Sequence, residues 1–316
     1  MSTTDTGTAR PVAVAQNLAP RRRSFGAWFA DTGWRHVVAI VVSAFALFPL
    51  LYVVSASLNP KGTLTGSNQL FSAFGFDSYV RILSDPQNPY GLWFLNTLVI
   101  AVVTGAVTVF IGALAAYAFS RMRFAGRRIG LVTIVVVQMF PQLLAVVAIF
   151  LLMSTLGDWF PAIGLNTHTG LILVYLGGAL GVNTYLMYGF FNTLPMELDE
   201  AARIDGAGHA RIFFTMILPL VAPILAVVAL LSFIGTVNEY VIASVMLVDV
   251  DQQTLVVGLT KLVANPRYAD WSAFSAGAVM AAIPVMILFL FLQRYIVGGL
   301  TACLLYTSPS PRDATL

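Results

Sequence analysis

The sequence predicts an all-α integral membrane protein with six transmembrane helices and both termini in the cytoplasm. Three observations carry this: a composition too apolar for a water-facing globule, six apolar runs of spanning length, and a lopsided distribution of arginine and lysine between the loops. Of the 316 residues, 58% are hydrophobic and 10% charged. Soluble domains carry about 25% charged residues, so a soluble enzyme is excluded, and so is a disordered chain. The mean hydropathy of +0.84 agrees. Cys303 is the single cysteine, which excludes a disulfide framework and a cysteine-built metal site.

A helix needs roughly 20 consecutive apolar residues to cross the hydrocarbon core. Six stretches qualify: Val37–Ser57, Phe94–Phe119, Gly130–Thr155, Gly170–Phe190, Leu220–Leu247 and Phe274–Leu292. Backbone groups in lipid must be satisfied within the segment, so these lengths mean helices; the alternating segments of a barrel are absent from the sequence. Ser55-Ala56-Ser57 resembles a signal-peptidase site. The apolar run before it is longer than the 7–15 residues of a signal peptide and follows a long polar lead, so the first stretch is expected to stay as a span. That lead, residues 1–35, is expected to be a polar cytoplasmic extension.

Orientation follows from the loops. Thirteen lysines and arginines fall on one side, in the lead, the second-to-third connection (Arg121, Arg123, Arg127, Arg128), the fourth-to-fifth connection (Arg203, Arg211) and the C-terminal part. Four fall on the other: Lys61, Arg81, Lys261 and Arg267. The positive-inside rule makes the first side cytoplasmic. It also accounts for the isoelectric point of about 9.1 without nucleic acid as a partner.

Inside the predicted spans one carboxylate stands out, Glu239, beside Asn238 in the fifth. An ionisable group at that depth costs a few kcal/mol and faces a cavity or a polar partner. Two roles stay open for it: lining a solute pathway, or fixing helix packing through an interhelical hydrogen bond. Gln138 and Gln142 flank Met139-Phe140-Pro141 in the third span, and Pro284 interrupts the sixth. Proline in a membrane helix permits a kink and suits a cavity wall, though it is also ordinary helix architecture. Asn238, Glu239 and Gln138 are the candidate pathway residues.

The fourth-to-fifth connection, 192–218, is unlike the other loops. Pro195 precedes Glu197, Asp199 and Glu200, the acidic first turn of a helix. Asp205-Gly206 and Gly208 then break it, and a second short helix is expected from Ala210 to just before Pro219. Small residues Ala201, Ala202, Gly206 and Ala207 would let a partner's backbone approach closely. An amphipathic helix lying on the membrane is the alternative reading.

This segment resembles the EAA signature of binding-protein-dependent ABC importer permeases: Glu-Ala-Ala, three residues, Gly, nine residues, Ile, any residue, Leu-Pro. Glu200-Ala201-Ala202, Gly206 and Leu218-Pro219 match, and Met216 stands where Ile is usual. The resemblance covers roughly Val37 to Ala302 and is closest to maltose-type permeases, through Gln138-Met139-Phe140-Pro141, Gly164-Leu165-Asn166-Thr167-His168, Tyr175-Leu176-Gly177-Gly178 and Gln293-Arg294-Tyr295. It implies a type I ABC importer permease fold over 36–302. It also implies a coupling helix for an ATPase subunit made by Glu200, Ala201, Ala202, Asp205, Gly206 and Ala207.

By the same resemblance the partners are a second, larger permease subunit, two ATPase subunits and an extracytoplasmic sugar-binding protein. The binding protein would dock on the loops around Lys61–Tyr90 and Val248–Trp271. The cargo would be a maltose- or maltodextrin-like α-glucoside, with trehalose and other oligosaccharides open. Residues 303–316 depart from the family pattern and are expected to be a non-native tail.

Neither lysine belongs to a Gly-Lys-Ser/Thr phosphate loop, since Lys61 follows Pro60 and Lys261 follows Thr260. No cofactor is therefore expected on this chain, and ATP with magnesium would be used by the partner ATPase. Two other classes fare worse. A secondary transporter would show inverted repeats and several intramembrane ionisable groups. An intramembrane enzyme would need paired catalytic groups, and His36, His168 and His209 lie at or outside span ends, far apart in the chain.

Overall fold

In a computed structural model the described residues are 26, 29–60, 70, 71 and 73–305, and among them all regular structure is helical. Most of the polar lead, Lys61 and residues 306–316 lie outside them. The chain divides into two units, 1–51 and 52–316. The first holds a π-helical turn, Phe29–Gly33, and most of α1 (Trp34–Ser57). Its Ile40, Val41, Phe45 and Leu50 are exposed, as befits an apolar helix whose solvent is lipid.

The second unit begins with the end of α1 and continues through α2 (Asp77–Ser84), α3 (Tyr90–Arg121), α4 (Arg127–Gln138), α5 (Gln142–Trp159) and α6 (His168–Phe191). Then come α7 (Glu197–Ile204), α8 (His209–Ile212), α9 (Ala222–Asn238), α10 (Val241–Met246), α11 (Leu255–Ala264) and α12 (Trp271–Leu305). Three helices, at Phe29–Ser57, Tyr90–Arg121 and Trp271–Tyr295, are long and apolar enough to cross a membrane. Counting three bent pairs as one span each brings the number to six, in agreement with the six apolar runs.

The long helix α3 packs against both α6 and α9. Its small residues allow this. A Cβ on Gly112 would sit 3.3 Å from the Met187 sulfur of α6, and Gly105 faces the α9 backbone at Ala229 and Phe233. Small residues at helix interfaces replace the missing hydrophobic drive between helices in lipid. At one end of α3, Tyr117 joins Phe191, Ile212, Phe213 and Ile217 in a buried cluster. At the other, Trp93, Tyr90 and Ile82 pack with Leu255 and Leu259.

Four expectations need correcting. The third span is not one helix: α4 and the helix after it meet at 101°, because Pro141 lacks the N–H that would continue the ladder. The fifth span is not continuous either. It enters at a 78° bend around Val221 and stops at Asn238, and Glu239 is extended (ψ 116°) before α10 restarts. The second helix of the acidic connection does not end before Pro219. It runs from α8 through a π-helical turn, Phe213–Ile217, to Leu220. Finally, the stretch Val248–Trp271 is not merely a loop, since it contains the apolar helix α11. Pro284 lies inside α12 without ending it, and α12 carries helical backbone through Cys303–Leu305.

Side chains hold the segment before α11 in place. Trp93 Nε1 donates to Val250 O (2.7 Å), Asn96 Nδ2 to Asp251 O (2.8 Å), and Leu255 N to Thr97 Oγ1 (2.7 Å). Asn166 bonds Asp249, and a His168 ring nitrogen lies 3.0 Å from Gln252 O. Trp93 has no exposed surface, and its ring lies flush on Gly258 of α11, where any Cβ would collide with it. Replacing Gly258 by valine should therefore cost about 1–3 kcal/mol of packing strain. The expected result is a lower unfolding temperature for the detergent-solubilised protein; an unchanged midpoint would show that Trp93 can move aside.

Candidate functional site

Two places bring functional side chains together: the acidic connection at one end of the bundle and a polar cavity within it. In the acidic connection α7 begins with Glu197, Asp199 and Glu200, carboxylates that complement the positive end of a helix dipole. It ends in a Schellman turn. Gly206 N donates to Arg203 O and Ala207 N to Ala202 O, both at 3.0 Å, and Gly206 takes the left-handed conformation (φ +81°). The space around Gly206 is open, so it is backbone conformation and not crowding that calls for glycine there.

One buried ion pair ties α7 to the bundle. Arg121, the last residue of α3, places Nε 3.1 Å from Asp199 Oδ2, with side chains 3% and 5% exposed. The Nε–H is not aimed at that oxygen, so the contact is Coulombic more than a directed hydrogen bond. Arg121 Nη2 also donates to Leu194 O (3.0 Å) in the turn that follows α6. A single guanidinium thus joins α3, the turn after α6 and α7. Ala202 is buried against the same core, with Ala207 partly buried beside it.

These positions revise the expected small-residue face. Ala202 and Ala207 turn inward, whereas Glu200, Ala201, Asp205 and Gly206 are exposed. Ile204, not singled out from the sequence, is 87% exposed among them.

The second place is a cavity of about 250 Å³ lined by Tyr175, Asn183, Ser232, Thr236 and Glu239. Glu239 Oε2 accepts from Tyr175 Oη (2.7 Å) and Ala243 N (3.0 Å), and Oε1 accepts from Ile242 N (2.8 Å). The carboxylate therefore satisfies the first amides of α10 and still borders the cavity. Of the two roles left open for it, the hydrogen bonds supply the packing one, and the residue also lies on a cavity wall. Asn183 Nδ2 donates to Ser232 Oγ across the helix pair (3.0 Å).

The other two candidates lie elsewhere. Gln138 Nε2 donates to Gly178 O (2.8 Å) and lines a larger cavity of about 1030 Å³, which shares Gly178 with the first. Asn238 turns back to Ile234 O (2.9 Å) and lines a third cavity of about 620 Å³ with α11 and α12. Tyr175, Asn183, Ser232 and Thr236 were missed as site residues. Their signal was present as polar positions four or eight apart, Tyr175 with Asn183 on α6 and Ser232 with Thr236 on α9.

Residues 108–301 match the family described as binding-protein-dependent transport system inner membrane component. The chain belongs to this family. It is thus a multi-pass protein of the bacterial inner membrane with the type I importer permease fold. It is 40% identical over 283 residues to the maltose/maltodextrin transport system permease protein MalG of Photorhabdus laumondii, covering 85% of this chain and 95% of that one. It is 38% identical over 268 residues to the galactooligosaccharides transport system permease protein GanQ of Bacillus subtilis, covering 84% and 93%. Its structure resembles a crystal structure of a bacterial ABC transporter involved in import of the acidic polysaccharide alginate, with TM-score 0.68 and 28% identity over 84% of this chain and 97% of that one.

Breaking a buried ion pair by removing one partner costs about 3–5 kcal/mol, whereas replacing both with apolar groups is often neutral. Arg121→Met or Asp199→Asn alone should therefore destabilise the permease strongly, and Arg121→Met combined with Asp199→Leu should recover most of the loss. Thermal unfolding of the three variants checks this, and additive losses would show that the pair is not coupled.

Proposed function

We propose that this chain is the permease subunit of an ATP-driven, binding-protein-dependent sugar importer, carrying maltose- or maltodextrin-like α-glucosides. The observation that carries it is the acidic connection, where a helix bearing the Glu200-Ala201-Ala202 and Gly206 signature projects from the bundle on a buried ion pair. Membership of the family and the sugar-carrying relatives support the substrate class. The similarity to a galactooligosaccharide permease favours a second reading, in which the cargo is another oligosaccharide.

In this reading the Arg-rich connections and both termini are cytoplasmic, by the count of lysine and arginine. Exposed Glu200, Ala201, Asp205 and Gly206, with Ile204 at their centre, face an ATPase subunit. ATP and magnesium are bound there, since this chain has no phosphate loop. The importer comprises this chain, a larger second permease, two ATPase subunits and an extracytoplasmic sugar-binding protein. The binding protein sits over the segment held by Trp93, Asn96 and Asn166. Sugar hydroxyls pass the polar cavity at Glu239, Tyr175 and Asn183, where carboxylate and amide groups can exchange hydrogen bonds with them.

ATP hydrolysis by the complex purified with its neighbouring permease and ATPase tests the proposal, using binding protein loaded with each sugar of a panel. Stimulation by α-glucosides is expected. Stimulation by galactooligosaccharides alone would transfer the cargo to the second reading, and solute movement without any ATPase would overturn the importer mechanism. The coupling role has its own test. Gly206→Val forces a β-branched residue into left-handed backbone and should cut transport roughly tenfold, within the 1–3 kcal/mol typical of coupling between sites. ATP hydrolysis should persist in the assembled complex. Wild-type uptake at equal expression would remove Gly206 from the coupling.

A further inference from the structure

We infer that the α3–α4 connection is a binding site for the phosphate of an anionic phospholipid. The site is a cavity of about 620 Å³ lined by Phe124, Arg127, Arg128, Leu131 and Tyr188. Arg127 and Arg128 are the first two residues of α4, and that first turn contains no acidic residue. Two cations thus sit at the positive end of a helix dipole, where each is disfavoured. The capping residue, Gly126, has no side chain to accept the first amides either.

Among the described residues no acidic side chain pairs with this charge. Neither arginine forms an ion pair among them, and the one hydrogen bond given by the two arginine side chains is a long one, Arg127 Nη2 to Tyr188 Oη at 3.5 Å. Arg123 adds a further exposed cation in the same five-residue connection. A local arrangement that breaks an electrostatic rule without compensation points to a ligand that supplies the missing charge. Two guanidinium groups with a phenol hydroxyl make the donor set for a phosphate oxygen pair.

Position and hydrophobicity select a lipid over a free anion. α3 ends at Arg121, α4 starts at Arg127 and α6 ends at Phe191, so the cavity lies where three spans leave the apolar region. Below the arginines, Ile129, Val132 and Val136 repeat at helical spacing on the exposed face of α4, 73%, 55% and 57% exposed. A headgroup held by Arg127, Arg128 and Tyr188 would lay its acyl chains along this track. Basic pockets between spans hold anionic headgroups in this manner, each arginine contributing about 1 kcal/mol.

The test is lipid retention by the intact, delipidated importer complex. It is re-exposed to vesicles of phosphatidylcholine alone or of phosphatidylcholine with phosphatidylglycerol, and bound lipid is counted by native mass spectrometry. Phosphatidylglycerol should be retained in preference, and Arg127→Gln with Arg128→Gln should weaken retention roughly thirtyfold, the product of two such contacts. Should that double variant fail to assemble, each single variant should show roughly a fivefold loss. Arg127→Lys with Arg128→Lys, which keeps the charge, should retain most of the lipid. Equal retention by wild type and the glutamine variants, or equal retention of both lipids, would overturn the site. Displacement of the lipid by inorganic phosphate at matched ionic strength would reassign the arginines to a soluble anion and overturn the lipid reading.

Discussion

A helix broken at membrane depth frees N–H and C=O groups that lipid cannot satisfy. This one constraint organises the second unit. Where α9 stops, Glu239 takes up the amides of Ile242 and Ala243, so the carboxylate replaces the carbonyls that a continuous helix would have supplied. Where α4 stops, Gln138 reaches across to Gly178 O of α6. That carbonyl lies close to where α6 bends by 48°. The irregular run before α11 is satisfied in the same way, by Trp93, Asn96 and Thr97. At these three places a polar side chain meets the irregular backbone, and two of those side chains, Glu239 and Gln138, also line cavities.

A residue type that satisfies broken backbone is therefore also the type that a polar cavity wall needs, so residue type alone does not separate a structural role from a proposed pathway role. Glu239 accepts three hydrogen bonds, and a carboxylate has about four lone-pair sites. One remains for a visiting hydroxyl. The polar groups of the cavity are pre-ordered by the fold, so ordering them for a solute carries little further entropic cost. Tyr175 serves both ends of the argument: its ring belongs to the buried cluster with Met153, Leu171 and Met246, and its hydroxyl fixes the carboxylate.

The sequence disclosed what depends on composition and period. Six apolar runs, the acidic start of α7 and its glycine stop were legible because each follows from local chemistry. Bends were not. Pro141 marks a break and Pro284 does not, though both are prolines in apolar helices. The difference lies in surroundings. At Pro141 a glutamine from the preceding helix ties the broken end to α6, whereas α12 runs through Pro284 as one helix. The break at Glu239 was hidden for a different reason: the carboxylate stood out within Leu220–Leu247, but a lone polar residue in a span does not say whether it packs a continuous helix or caps a broken one. The inward turn of Ala202 and Ala207 was also invisible, because small residues fit a core and a docking face equally well. Only the register set by the Arg121–Asp199 pair decides which side of α7 faces out.

That pair also defines what α3 can transmit. At about 1.5 Å per residue its 32 residues span about 48 Å. Its first turns hold the segment before α11 through Trp93, Asn96 and Thr97, and its last residue holds α7 through Arg121. Lying between two sites is not by itself coupling. Here, however, both attachments are buried, and each would cost several kcal/mol to break by separation of its partners. A displacement of α7 would therefore move the end of α3 rather than part from it, and a rigid helix would carry that motion to the segment between α10 and α11. The breaks in the helices lie elsewhere, at Pro141, at the bend of α6 and at Val221, so a rearrangement of the cavity would fall on the elements around α3 while α3 itself stays intact.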